Sequence, residues 1–302
     1  MSTRYLPEGL HPPGPDPASL SALAEAMAEE TVLEGQSFLC TPDHDLLVRL
    51  GPFTGVIPRQ EAALGIREGT ARDIAILSRV GKPVAFTVTG LDAGDGRLRL
   101  SRRRAQELAL AALLDTPAGT VLPAAVTHLE PFGAFVDVGC GVVSLIGIEN
   151  ISVSRIPHPS CRFRVGQAIY AVLTGVDRAR GRVFLSHKEL LGTWAENAAA
   201  FAPGMTVPGY VRSIQPYGAF VELAPNFAGL ADRTDGLREG DRVSVFLRSI
   251  QPQKRKVKLT VIRQLEPGPP APLPYFITAG RLRRWDYAPP DCPRKELDRE
   301  FD

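Results

Sequence analysis

The sequence lacks the features that mark several large protein classes. Its four cysteines, Cys40, Cys140, Cys161 and Cys292, form no CxxC pair and have no histidine cluster beside them. We therefore expect reduced thiols, with neither a zinc site nor a disulfide framework. No stretch approaches the ~18 consecutive apolar residues of a membrane span, and proline interrupts the N-terminal segment where a signal peptide has its apolar core. These absences predict a cytoplasmic protein with no membrane contact.

Net charge and catalytic motifs are also sparse. The 33 acidic residues nearly cancel the 35 basic ones, so any nucleic-acid surface must be local. The sequence has no nucleophile elbow, phosphate loop or paired histidine ligands. We expect no enzyme, no cofactor and no metal. The 302 residues, 44% of them hydrophobic, predict two to four compact domains.

What the sequence does contain is a repeated unit. Three segments align without a gap, and each has a glycine, an alternating run, a turn and a short run opened by a basic residue, which predicts a β-hairpin. They are VGKPVAFTVTGLDAGDGRLRLSR (80–102), VGQAIYAVLTGVDRARGRVFLSH (165–187) and EGDRVSVFLRSIQPQKRKVKLTV (239–261). The preceding half also recurs, as GTVLPAAVTHLEPFGAFVDVG from 119 and GMTVPGYVRSIQPYGAFVELA from 204. With one more strand after each, the unit has five strands.

Five short strands bury most surface as a small barrel, which has no open sheet edges. We predict a mainly β protein of three tandem five-stranded oligonucleotide-binding (OB) barrels joined by short helices, with an extended proline-rich C-terminal tail. We name the barrels unit one (31–104, degenerate), unit two (119–188) and unit three (204–263, shortened). The remaining segments are an N-terminal extension (1–30), helical linkers (105–118 and 189–203) and the tail (264–302). Helices are expected over 18–30, 102–114 and 188–201.

Aromatic residues recur in phase in the second strand of two units. Phe132 and Phe135 stand in PFGAFVDVG, and Tyr217 and Phe220 stand in PYGAFVELA. The rings either fill the core or form a platform on which unpaired bases stack for ~1–3 kcal/mol each. Residues three apart on a regular strand face opposite sides, so a shared surface requires a bulge at Gly133. The recurrence favours stacking for Phe132 and Tyr217, whereas Phe135 fits either role.

Basic residues lie where a phosphate backbone would need them. Arg182 opens the last strand of unit two, and QKRKVK (253–258) supplies Lys254, Arg255, Lys256 and Lys258 in unit three. Such runs form grooves that track a backbone, but they also protect strand edges from aggregation. RLRLSRRR (97–104) presents the same alternatives. Asp177 opens a turn, where it either contacts RNA or only shapes the turn.

Five further residues are not expected to contact bases. His128, His158 and His187 are separated in sequence, and we expect surface or structural roles for them. Trp194 and Trp285 lie in a linker and in the tail, where we expect packing anchors or partner contacts.

The order of these motifs resembles the S1 RNA-binding domain, the repeat of bacterial ribosomal protein S1. Residues 119–188 carry it most fully, 204–263 nearly so, and 31–104 carry its second half. The resemblance implies a barrel that binds single-stranded RNA through Phe132, Phe135, Asp177 and Arg182 in unit two and Tyr217, Phe220 and Lys256 in unit three. The family's third-strand histidine is replaced by Gly147 and Asp232, which should weaken binding.

The leading hypothesis is a monomeric, ribosome-associated factor that holds mRNA single-stranded during translation. Units two and three would bind RNA, and residues 1–117 would dock on the small ribosomal subunit. Unit one suits docking because His44 and Leu47 align with the Phe132 and Phe135 positions. Two alternatives stay open: an RNA-binding regulator off the ribosome, in antitermination or mRNA decay, and a protein-interaction scaffold that has lost RNA binding.

Overall fold

Unit one contains the five predicted strands. A computed structural model of the protein describes residues 5–11, 19–91, 97–268 and 273–301. The strands are β1 (Leu33–Cys40), β2 (Leu46–Leu50), β3 (Phe53–Ile57), β4 (Pro83–Leu91) and β5 (Arg97–Ser101). Helix α1 (Leu20–Ala28) precedes them, and the short helix α2 (Ile74–Leu77) lies before β4. Ser19 caps α1 by accepting a hydrogen bond from the Ala22 amide, so the expected helix within 18–30 is confirmed.

Units two and three each contain five strands as well. Helix α3 (Arg102–Leu114) leads into β6 (Val121–Glu130), β7 (Gly133–Asp137), β8 (Val143–Gly147), β9 (Ala168–Asp177) and β10 (Arg182–Ser186). Unit three has β11 (Thr206–Gln215), β12 (Gly218–Ala224), β13 (Phe227–Ala231), β14 (Arg242–Gln251) and β15 (Lys256–Gln264). The tail adds a two-stranded ribbon of β16 (Arg284–Trp285) and β17 (Arg299–Glu300).

The linker between units two and three is less helical than expected. The sequence predicts a helix over 188–201, but Lys188–Leu191 forms a 3-10 turn and only Trp194–Ala198, named α4, is α-helical. Gly192 separates them with φ +81°, a left-handed conformation that ends the first turn. Thr193 and Glu196 then start α4 with a capping box.

Two of the three barrels are closed. Their strand orders are β1-β2-β3-β5-β4 and β11-β12-β13-β15-β14, each closed by a parallel pair between the third and fifth strands. Unit two has the same order, but its sheet is open and ends at β8 and β10. Across this seam the Ser144 hydroxyl donates to the Val183 carbonyl at 2.7 Å. A side chain therefore makes the contact that a backbone ladder makes in the other units, and unit two is a nearly closed barrel. The predicted architecture of three tandem five-stranded barrels is confirmed.

Units one and two are joined through helix α3 and the N-terminal segment. Ala105, Ala109 and Leu113 of α3 are buried in the core of unit two. Glu8 is also buried and pairs with Arg102 at the start of α3 (2.6 Å). The first linker is thus part of the core rather than a free spacer.

The tail is packed between units two and three. Trp285, Tyr287 and Phe301 are buried in the core of unit three, together with Val121 and Trp194 from outside that barrel. We expected an extended tail; instead, 273–301 folds onto the barrels, while 269–272 of the proline-rich run lie outside the described residues. The packing roles of the two tryptophans are confirmed.

A buried ionic cluster adds a polar contact between units two and three. Glu222 of β12 accepts from Arg212 of the neighbouring strand at 2.8 Å and from Arg162 of unit two at 2.5 Å.

None of the helices in the described residues is long and apolar enough to cross a membrane.

Candidate nucleic-acid interface

The paired rings of unit two lie on one surface. Phe132 occupies the turn that precedes β7, Phe135 lies on β7, and their centroids are 6.1 Å apart at an angle of 88°. Phe132 is 56% exposed, whereas Phe135 is half-buried. The predicted bulge at Gly133 is wrong, because the register shift lies in β6 between Val126 and His128. The rings share a surface because Phe132 precedes the strand.

Gly133 matters for a different reason. A Cβ at this position would clash with the carbonyl oxygen of Ile146 on β8. Unit three repeats this feature, because a Cβ on Gly218 would clash with the Ala231 carbonyl of β13. The glycine after the exposed ring therefore lets the second and third strands approach closely.

Unit three presents the same pair of rings. The centroids of Tyr217 and Phe220 are 6.5 Å apart, and the rings meet edge to face at 86°. Tyr217 is 65% exposed. The register shift again lies in the first strand, between Val211 and Ser213. Two barrels thus display an exposed ring from a turn beside a second ring from the following strand.

Unit one has a leucine and a histidine in the corresponding places. Leu47 pairs with Leu39 and Val56, as Phe135 pairs with His128 and Leu145. His44 lies in the preceding turn with φ +64°. Unit one therefore lacks the pair of Phe or Tyr rings that units two and three carry, as the alignment of the repeats predicted.

Cations flank the rings in units two and three. Arg182, the first residue of β10, is exposed, as are Lys254, Lys256 and Lys258. Lys258 pairs with Leu230, which in turn pairs with Phe220, so this lysine lies two strands from the second ring. Lys256 and Lys258 lie on the last strand of unit three, and Lys254 lies in the 3-10 turn before it.

Arg255 is placed differently from its basic neighbours. Its backbone is left-handed, with φ +47°, and its guanidinium binds Glu296 of the tail at 2.5 Å. The same group lies over the ring of Tyr287, 5.5 Å from the centroid. Only 10% of the side chain is exposed. Arg255 holds the tail, so its contacts differ from the RNA contact that the sequence suggested.

Asp177 and the arginines of 102–104 also have protein partners. Asp177 accepts from the backbone and guanidinium of Arg180 at 3.1 and 3.2 Å, which is a turn-shaping contact. Arg102 is buried against Glu8. Arg103 pairs with Glu68 and Glu107, and Arg104 with Glu30 and Glu107. This second basic run stabilises the start of α3.

The structure adds two residues to the face of unit two. Phe184 is 52% exposed on β10, on the same side as Arg182 because the two are two residues apart on one strand. His128 of β6 is also exposed, with its ring 6.2 Å from that of Phe135. The alternation of RVFLS, in which an outward Arg182 implies an outward Phe184, was a signal that could have identified the phenylalanine.

The other two histidines have structural surroundings. His187 is fully buried between Ile151, whose carbonyl lies 2.8 Å from Nδ1, and the hydroxyl of Tyr275, 2.9 Å from Nε2. Burial lowers the pKa of His187 to about 4, against the opposing effect of the Ile151 hydrogen bond. His158 caps a 3-10 turn through Ser160.

The described residues contain no candidate metal site and no disulfide. Among these residues, no three of the His, Cys, Asp and Glu side chains are grouped so that they could hold a metal ion. The four cysteines are free thiols. What the site offers is flat apolar rings and adjacent cations, a combination that can bind bases and phosphates without covalent chemistry.

Comparison with known proteins agrees with this geometry. Residues 115–188 match the S1 RNA binding domain family. The chain is 33% identical over 205 residues to the small ribosomal subunit protein bS1 of Leuconostoc lactis, covering 62% of this chain and 47% of that protein. It is 32% identical to the bS1 homolog of Bacillus subtilis, covering 63% and 54%. The chain thus spans about half the length of these relatives.

One relative has an enzyme's name. A 4-hydroxy-3-methylbut-2-enyl diphosphate reductase of Fusobacterium nucleatum is 32% identical over 164 residues, which cover 50% of this chain but only 20% of that protein.

Proposed function

We propose, from the premise that this chain is a protein of the S1 RNA-binding domain family, that units two and three bind single-stranded RNA. The observation that carries the proposal is the repeated pair of edge-on rings, exposed from a turn in both units. Flat rings stack on bases of any sequence, and the neighbouring lysines and Arg182 attract phosphates.

The natural ligand in this proposal is mRNA, and the setting is translation in the cytoplasm. The relatives named small ribosomal subunit proteins support this assignment. The chain acts as a binding factor rather than an enzyme in this proposal. The match to the reductase covers only a fifth of the reductase's own length. It works as a monomer, and the small ribosomal subunit is its partner.

RNA binding is tested by fluorescence anisotropy of a labelled, unstructured dodecamer with the full chain at two salt concentrations. The wild type should bind, and binding should weaken as salt rises. Phe132→Ala with Tyr217→Ala should cost on the order of 2 kcal/mol or more. Phe276→Ala is the matched control, since Phe276 is 46% exposed in the tail. Unchanged affinity in the double variant would favour the protein-interaction scaffold.

Unit one is proposed to dock on the ribosome through residues 1–117. Its first strand exposes Phe38 and Leu39, which are 38% and 47% accessible. Leu39 pairs with Leu47 as His128 pairs with Phe135 in unit two. Leu39→Glu in the full chain should reduce co-sedimentation with small subunits while RNA affinity is kept. If the variant co-sediments like the wild type, docking through this face is wrong. A wild type that stays at the top of a polysome gradient would favour a regulator off the ribosome.

A further inference from the structure

A cleft of about 610 Å³ follows the open seam of unit two. Phe135 and Leu145, a cross-strand pair on β7 and β8, line it together with Phe184 of β10. The third residue of the last strand is cationic in the other barrels, Arg99 in β5 and Lys258 in β15. Unit two alone places an exposed ring there, so its cleft has apolar surface from both strands that border the seam.

The cleft also contains a polar pair at the position of the missing histidine. A Cβ on Gly147 would lie 2.5 Å from Oε1 and 2.9 Å from Oε2 of Glu149. The Glu149 carboxylate therefore fills the space that a side chain at 147 would take. Asn150 donates from Nδ2 to Glu149 Oε1 at 3.3 Å, and both residues line the cleft. A carboxylate acceptor and an amide donor thus lie side by side.

We propose that this cleft binds one guanine base of single-stranded RNA. The inference rests on the proposed function, and it adds a base preference to unit two. The apolar walls hold the base, its N1–H and N2 amino group donate to the Glu149 carboxylate, and the Asn150 amide donates to O6. Arg182 also lines the cleft and pairs with the adjoining phosphate.

Guanine fits this pair better than the other bases do. Its Watson–Crick edge has two adjacent N–H donors followed by a carbonyl acceptor. Uracil offers a single N–H between two carbonyls, and adenine and cytosine place an acceptor nitrogen beside the amino group. An ionised carboxylate has only acceptors, so each of these three bases would leave a lone pair facing a lone pair.

The test compares three labelled dodecamers of uridine that carry guanosine, inosine or adenosine at one central position. Inosine differs from guanosine only by loss of the N2 amino group. Anisotropy is measured with the full chain carrying Tyr217→Ala, so that unit two dominates binding. We expect the guanosine RNA to bind about fivefold more tightly than the inosine RNA, from one charge-assisted hydrogen bond at an exposed site.

Two variants separate the parts of the cleft. Glu149→Gln should remove the preference for guanosine over inosine, whereas Glu25→Gln, the same change at an exposed position of helix α1, should keep it. Phe184→Leu retains apolar volume without a ring and should weaken all three RNAs.

The outcomes distinguish this inference from the function on which it rests. Equal affinity for guanosine and inosine RNAs, or a preference that survives Glu149→Gln, would overturn the guanine cleft and leave RNA binding intact. Failure to bind any of the three RNAs, in the chain with or without Tyr217→Ala, would overturn both.

Discussion

Among single residues, a glycine supports the proposed RNA-binding face as much as the rings do. Gly133→Ala should lower the stability of unit two by about 2 kcal/mol, because the new methyl group meets the Ile146 carbonyl rather than a movable side chain. Gly175→Ala is the control, since its Cβ would find only Phe184, at 4.0 Å. Thermal unfolding of both variants checks the prediction, and equal midpoints would contradict it.

A second residue, His187, makes packing at the tail sensitive to acid. Its folded pKa of about 4 lies below the unfolded value near 6.5. The unfolded chain therefore takes up the proton first, so stability is complete above pH 6.5 and is lost as pH falls toward 4. The loss is on the order of 3 kcal/mol.

Hydrogen exchange of residues 273–301 between pH 7.5 and 4.5 measures this effect. Exchange should be compared after correction for its intrinsic pH dependence. His187→Gln should flatten the dependence, whereas His128→Gln should leave it unchanged, because His128 is exposed and its contacts are Glu130 and Phe135 of unit two. A wild-type tail that is equally protected at both pH values would show that His187 does not control its packing.

At the scale of elements, the tail behaves as part of the core of unit three. Trp285→Ala should destabilise that unit by about 3–5 kcal/mol, because Trp285 is only 3% exposed and packs among barrel residues. Phe276→Ala, at 46% exposure in the same segment, should cost far less. The loss of stability in the two variants is compared by chemical unfolding, with hydrogen exchange in β14 as the readout for unit three. Similar costs for the two variants would contradict a core role.

Elements with local signals could be predicted from the sequence. Alternating runs identified the three hairpins, and the run of strong helix formers from 102 to 114 identified α3. The ring positions also followed, because the repeat preserves them in phase. Contacts between distant residues could not be predicted: Arg255 meets Glu296, 41 residues away, and Thr120 forms a bridge with Arg281. A polar residue that contacts a distant residue and one that faces water have the same local sequence pattern, so the sequence does not distinguish them.

At the scale of the whole molecule, the three units form a connected assembly rather than separate modules. Helix α3 enters the core of unit two, and the tail enters the core of unit three beside residues of unit two. Fragments cut at the predicted linkers would therefore expose buried apolar surface. The full chain is the proper material for binding studies.

The central proposal for this protein is that RNA bases contact the outer faces of units two and three. The most direct measurement is photo-crosslinking of the full chain to a dodecamer containing 5-iodouridine, followed by mass spectrometry of the crosslinked peptides. We expect crosslinks within 131–135 and 216–220, where the exposed rings lie, and their loss in Phe132→Ala with Tyr217→Ala. Crosslinks confined to unit one or to the tail, with both ring-bearing segments unmodified, would contradict it.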